Sequence, residues 1–87
     1  MGEHEPIEVG ALYSFTEQSN YSGTFRVLNI VLEEQDANVS VEYDEEALDS
    51  GISNAKESVV YSDIRLNESE GLVKRINSGH EAWEWRQ

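Results

Sequence analysis

The sequence contains no cysteine among its 87 residues. It therefore has neither a disulfide framework nor a thiolate metal site, and cysteine usage gives no information on the redox compartment. No apolar stretch approaches the roughly 18 residues of a membrane-spanning helix. Residues 1–6 are acidic and lack the apolar run of a secretory signal, so we predict a flexible arm there. We expect a soluble protein without membrane contact, either cytoplasmic or incorporated into a virion.

Basic residues are also scarce, since 6 Lys and Arg oppose 18 Asp and Glu, which gives a net charge of −12. Such a surface repels nucleic-acid phosphates, so we expect no direct nucleic-acid binding. Three interpretations compete: adaptation to a high-salt cytoplasm, mimicry of DNA by carboxylates, and ordinary solubility. The presence of only two lysines, Lys56 and Lys74, favours a halophilic surface. The excess of Glu over Asp argues mildly against it.

Motifs for catalysis or metal binding are missing as well. A chain of this length forms one domain and buries only about 60% of the surface that its unfolded state exposes. His4 and His80 lack the spacing that preorganises metal ligands, and no serine lies in a nucleophile elbow. The carboxylate pairs at 33–34, 45–46 and 68–70 fall in predicted turns and strand ends, where acidic residues are solvated. We predict no catalytic residue, no metal and no cofactor.

A β-hairpin over residues 24–43 is the strongest structural signal in the sequence. Residues 24–33 form the longest β-like run, and a change of phase between Val27 and Leu28 predicts a β-bulge. Residues 35–38 suit a tight connection. Residues 39–43 then alternate between apolar and polar side chains, as expected of a half-buried strand.

The remaining predicted elements are short. A first strand over 7–15, kinked at Gly10, is followed by a turn over 17–23. Residues 44–58 form a long polar connection, either a loop or a stretch in which Asp44 caps one or two helical turns that Gly51 ends. The elements after it are, in chain order, a strand over 59–61, a single 3₁₀ turn over 62–66, a turn over 67–71, a fifth strand over 72–76 and a last segment over 80–85.

Five or six short, evenly punctuated strands predict an all-β or mainly β domain, a small five- to six-stranded antiparallel barrel over 7–87. The order resembles SH3-like and Tudor-like barrels. The resemblance depends on a bent strand at 25–30, a partner strand ending at 41–43 and a short turn at 62–64 before a closing strand. It covers roughly residues 7–77 and implies a fold without implying an activity.

Aromatic residues are the most promising candidates for binding, because they dominate interface hot spots. We assign Phe25, Tyr43 and Tyr61 to the core. Trp83 and Trp85 would share one face of a strand, where they either close the core or contact a partner or another subunit. The candidate partner-binding residues are Trp83, Trp85, Tyr13 and Tyr21.

These features predict a non-enzymatic binding or structural module with an acidic, halophile-adapted surface and a protein partner, with self-association into an oligomer as one option. One alternative is a DNA-mimic inhibitor of a nucleic-acid enzyme, a viral accessory protein. Another is a virion assembly component, such as a connector or decoration protein. A mimic requires a stripe of carboxylates, whereas an assembly component should expose an apolar patch or an edge strand.

Overall fold

The computed structural model describes residues 7–77. Predicted features at 1–6 and 80–85, including Trp83 and Trp85, lie outside the described residues. The described part of the chain contains five strands and two short helices. The elements are β1 (Leu12–Phe15), β2 (Thr24–Leu32), β3 (Ala37–Tyr43), α1 (Glu45–Asp49), β4 (Lys56–Val60), α2 (Tyr61–Ser69) and β5 (Val73–Asn77).

The five strands form one sheet in the order β4-β3-β2-β1-β5. Every neighbouring pair is antiparallel, which confirms the mainly β prediction. Within residues 7–77 the pairings do not join β4 to β5, so the sheet is open and these two strands form its edges. Closure into a barrel stays a prediction.

The predicted bulge in β2 is present. Val27 pairs with Val41, whereas Asn29 pairs with Ser40, so Leu28 is the extra residue on β2. An extra residue lets the apolar side chains before and after it point to the same face of the sheet. It also increases the local twist of the strand. The apolar residues before and after the bulge can therefore contact the same core.

The core lies on one face of the sheet, beneath α2. Tyr13 and Phe25 stack with ring centroids 5.2 Å apart, and Arg75 Nη2 donates to the Tyr13 hydroxyl over 3.0 Å. Burial raises the pKa of Tyr13. Phe25 is buried as predicted, whereas Tyr43 and Tyr61 are half-buried against the core. The buried core cluster comprises Ala11, Tyr13, Phe25, Val27, Val39, Val41, Ile64 and Val73.

Two forms were predicted for the connection over 44–58, a loop or a short helix capped by Asp44, and the helix is present. Asp44 Oδ1 accepts a hydrogen bond of 2.9 Å from the Ala47 amide and so caps α1. Gly51 follows the helix with a φ of +129°, a conformation that suits glycine at a helix end. β4 begins at Lys56, three residues before the predicted strand.

The fourth strand is present and includes residues 59 and 60 of the predicted 59–61, but the prediction of a single 3₁₀ turn over 62–66 was wrong. Tyr61 begins an α-helix that ends at Ser69. Its N-cap residue, Val60, supplies no side-chain hydrogen bond. Instead Asp36, in the β2–β3 turn, accepts 2.7 Å and 3.2 Å hydrogen bonds from the hydroxyl and amide of Ser62. A distant carboxylate thus satisfies a donor at the start of the helix.

The first strand is shorter than predicted. β1 begins at Leu12, after a turn in which Gly10 has a φ of +92°. The Gly10 amide still donates to the carbonyl of Val27 over 2.7 Å, so the chain follows β2 before the strand begins. β5 begins at Val73, one residue after its predicted start.

Candidate functional site

A depression of about 520 Å³ opens at the end of the sheet where β1 joins β2. Three segments surround it: the β1–β2 loop, the loop between α1 and β4, and the turn between α2 and β5. Its apolar lining consists of Phe15, Tyr21, Tyr43, Ile52, Leu72 and Val73. The polar groups come mainly from serine and the amides of asparagine and glutamine.

The aromatic rings of the depression are in mutual contact. Phe15 is central, with its ring centroid 5.7 Å from that of Tyr21 and 6.4 Å from that of Tyr43. Phe25 lies 5.8 Å from Phe15 and 5.6 Å from Tyr43, which connects the group to the core. We call Phe15, Tyr21 and Tyr43 the aromatic cluster. Packing onto a buried ring limits the rotation of Phe15 and Tyr43 before any ligand arrives.

The sheet register places two members of this cluster. Tyr13 pairs with Phe25 across β1 and β2, and Phe25 pairs with Tyr43 across β2 and β3, so three aromatic residues form one row. Phe15 lies two residues after Tyr13, on the same face, and pairs with Val73 of β5. The depression therefore lies at the end of this aromatic row.

Tyr21 lies in the β1–β2 loop, and hydrogen bonds fix this loop on two sides of the depression. The Tyr21 amide donates to Ser19 Oγ over 3.0 Å. The Ser22 amide donates to Ser50 Oγ over 3.0 Å. On the opposite side the Thr16 hydroxyl donates to the Gly71 carbonyl. These hydrogen bonds thus connect the walls of the depression to one another.

The charge at the depression is negative. Among the described residues that line it, Glu57 is the only one with a charged side chain. Burial raises the pKa of Tyr43, and the nearby carboxylate of Glu57 and the hydroxyl of Tyr21 raise it further. The three surrounding segments carry two charged residues, Glu17 and Glu70, and both are acidic.

The predicted binding residues have different positions. Tyr21 is 42% exposed and lines the depression. Tyr13 is fully buried in the core, so no partner can reach its ring in this structure. Phe15 and Tyr43, which were not among the candidates, do line the depression. Their shared position depends on long-range strand pairing, for which the local sequence carries no signal.

A second, shallower depression of about 240 Å³ lies on the other face of the sheet. Its lining mixes both signs of charge, because Arg26 pairs across the strands with Glu42. The aromatic cluster does not extend to it as a group, since only Tyr43 contributes. This second surface therefore offers less apolar contact area to a ligand.

Within residues 7–77, no three His, Asp or Glu side chains come together as a group that could hold a metal ion. In the same range no helix is long and apolar enough to cross a membrane.

The lining of the larger depression suits binding more than acid–base chemistry. A hydrolytic carboxylate pair needs a second carboxyl group across the cleft from the first, and Glu57 has no such counterpart among the described lining residues. Aromatic faces and amide groups instead provide contact area and adaptable hydrogen bonding. No protein-family model, curated protein sequence or solved structure matches this chain.

Proposed function

We propose that this protein is a non-enzymatic binding module that accepts a segment of a protein partner in the aromatic depression. The observation that carries the proposal is the aromatic cluster, which joins an exposed ring, Tyr21, to half-buried rings anchored on the core. Preorganised aromatic side chains at the centre of a contact surface are typical of binding hot spots. The fixed walls reduce the entropy lost on binding.

The proposal includes a fold of the SH3-like type. An antiparallel meander in which the first strand pairs with both the second and the last supports it. The bulge at Leu28 supports it further, because bulges increase strand twist and help a sheet to curl. We propose that this curvature brings the edges of the sheet toward closure around α2. The fold alone would not define a partner.

The acidic surface is proposed to be a solvating, salt-adapted one. Glu33, Glu34 and Asp36 lie in the β2–β3 turn, whereas the acidic residues of α1 lie at the opposite end of the same strands. Acidic residues at both ends of the strands are typical of a hydrated surface. DNA mimicry would instead require them in one stripe with the spacing of phosphates. DNA mimicry is therefore the weaker proposal.

A second candidate function, a contact in a larger assembly, is favoured by one observation. Leu32 is 82% exposed and Val31 50% exposed at the end of β2. These apolar side chains lie far along the sheet from the aromatic cluster, next to the acidic β2–β3 turn. Isolated apolar residues are common on protein surfaces, so this candidate ranks below the aromatic depression.

Site-specific photo-crosslinking in the cells of origin tests the proposal. A benzophenone amino acid replaces Tyr21 in the depression or, as a matched control, the exposed Glu34 at the other end of the sheet. We expect a defined protein adduct from position 21 and none from position 34. Absence of an adduct at 21, or equal adducts at both positions, would contradict the proposed site.

A further inference from the structure

We infer that the depression recognises a basic side chain, a lysine or arginine of the partner segment, placed against the aromatic cluster with Glu57 as its counter-charge. The inference rests on the proposed binding function and adds the chemical class of the recognised group. Three properties of the depression support it: the type of its rings, the sign of its charge and the shape of its apolar lining.

Aromatic rings attract cations when the charge lies within about 6 Å of the ring centroid. The described residues already contain two such contacts, with Arg75 5.4 Å from the Tyr13 centroid and Arg65 5.6 Å from the Tyr61 centroid. The aromatic cluster is different, because no described residue that lines its depression is basic. Within residues 7–77, no lining side chain therefore supplies a cation to these rings.

The field at the depression has the sign that a cation requires. Glu57 contributes a carboxylate to the lining, and this carboxylate adds to the effect of burial in raising the pKa of the neighbouring Tyr43. Helix α2 ends at Ser69, beside the depression, and the carbonyl end of a helix carries partial negative charge. An anionic ligand would meet repulsion from all these groups.

The lining also distinguishes a long basic side chain from a bare metal ion. A divalent cation such as Ca²⁺ takes about six to eight oxygen ligands, and within residues 7–77 no three acidic or histidine side chains come together to begin such a set. Lysine and arginine carry an apolar stem that packs on hydrophobic surface while the head remains near charge. Ile52 and Leu72, in the lining, provide such a surface. The volume of about 520 Å³ leaves room for residues beside the basic one.

Titration of the full-length chain with three short capped peptides tests the inference. The peptides share a leucine-flanked sequence and carry lysine, norleucine or glutamate at the centre. Norleucine keeps the apolar stem and removes the charge. We expect the lysine peptide to bind about tenfold more tightly than the norleucine peptide, with NMR shift changes at Tyr21 and Tyr43, and the glutamate peptide to bind least.

Glu57→Gln should remove most of the preference for the lysine peptide over the norleucine peptide. Glu57 is exposed, so the substitution should not unfold the chain. Glu34→Gln, which removes the same charge from the opposite end of the sheet, should retain the preference. Loss of the preference in both variants to the same extent would show an effect of net charge and overturn the role of Glu57.

Equal binding of the lysine and norleucine peptides would overturn the cation inference and leave the proposed binding function intact. The same conclusion follows if position 21 forms a partner adduct while no peptide binds. Self-association of the chain through the aromatic cluster, seen as concentration-dependent broadening of the Tyr21 and Tyr43 signals, would make a second copy the occupant and also overturn it. Failure of the proposed function itself would appear as the missing adduct at position 21.

Discussion

At the scale of single residues, one carboxylate connects the start of β2 with the start of α1. Asp44 Oδ1 accepts hydrogen bonds from the amides of Thr24, at 3.2 Å, and Ala47, at 2.9 Å. Asp44 Oδ2 accepts from the Thr24 hydroxyl at 2.9 Å. Burial would raise the pKa of Asp44, yet these hydrogen bonds hold it below its usual value. Gly23, immediately before Thr24, leaves the space that this arrangement needs.

Gly23→Ala should therefore destabilise the fold by about 2–4 kcal/mol, the sum of a left-handed backbone cost and a damaged helix cap. The residue has a φ of +88°, and a Cβ there would lie 2.5 Å from the Ala47 nitrogen. Gly71→Ala is the matched control, because its φ is +80° but the nearest atom to its Cβ would be Gln18 Cγ at 4.0 Å. Urea unfolding measures both. Equal losses would contradict a role for the space around the cap.

At the scale of elements, Ile64 is the side chain that α2 buries in the core. Ile64 is 3% exposed and belongs to the core cluster, whereas Leu66 on the same helix is 53% exposed. Ile64→Ala should cost about 2–4 kcal/mol, since it leaves a cavity under the helix. Leu66→Ala should change the free energy of unfolding by less than about 0.5 kcal/mol. Comparable losses in the two variants would show that α2 does not pack as described.

The start of α2 should be sensitive to acid through Asp36. The hydrogen bond from the Ser62 hydroxyl is the main cause that lowers the pKa of this carboxyl below its ordinary value of 3.8. The amides of Ala37 and Ser62 lower this pKa further. A lowered folded-state pKa means that the carboxylate stabilises the fold fully above pH 3.8. Its contribution is lost as the pH falls below that value through the folded-state pKa.

NMR titration of the Asp36 carboxyl carbon measures this pKa directly. Ser62→Ala should move the titration midpoint of Asp36 upward, toward 3.8, because the largest stabilising hydrogen bond is removed. Ser58→Ala, an exposed serine of β4, should leave the midpoint where it is. A midpoint that does not respond to Ser62→Ala would show that the turn and the helix are not connected through this pair.

The same elements show which parts of the fold the sequence could reveal. The hairpin of β2 and β3, its bulge at Leu28 and the cap at Asp44 follow from local periodicity and from a capping residue adjacent to its helix. Helix α2 does not, because its start is capped by Asp36, 26 residues before Ser62. It also buries only Ile64, so its apolar pattern is too weak to indicate a helix.

The candidate site was predictable only in part for a related reason. An exposed aromatic residue in a polar loop, such as Tyr21, is visible in the sequence as a binding candidate. The sequence gives no reason to prefer Tyr21 over Tyr13 as a binding candidate. The strand register, however, pairs Tyr13 with Phe25 and Arg75 and places it in the core. Pairing between residues far apart in the chain decides which aromatic side chains reach the surface. Short-range sequence patterns carry no information on that pairing.

At the scale of the whole molecule, a net charge of −12 on 87 residues sets the conditions under which the fold is stable. The Debye length is about 30 Å at 0.01 M salt and about 3 Å at 1 M. A domain of this size has a radius of gyration of about 13 Å, so in dilute buffer every carboxylate interacts with most of the others. The repulsion opposes the compact state more than the expanded unfolded chain, in which the charges lie farther apart.

Molar salt should therefore stabilise this protein, and we expect its Tm to rise strongly between 0.01 M and 1 M KCl. A triple variant of α1, Glu45→Gln, Glu46→Gln and Asp49→Asn, removes three charges from one end of the sheet and changes the net charge from −12 to −9. Its Tm should rise less with KCl than that of the parent chain, because less repulsion is left to screen. Sucrose, which favours compact states without screening charge, should raise the Tm of both chains equally. A Tm of the parent chain that stays flat across the KCl series would contradict salt adaptation and assign the acidic surface to ordinary solubility.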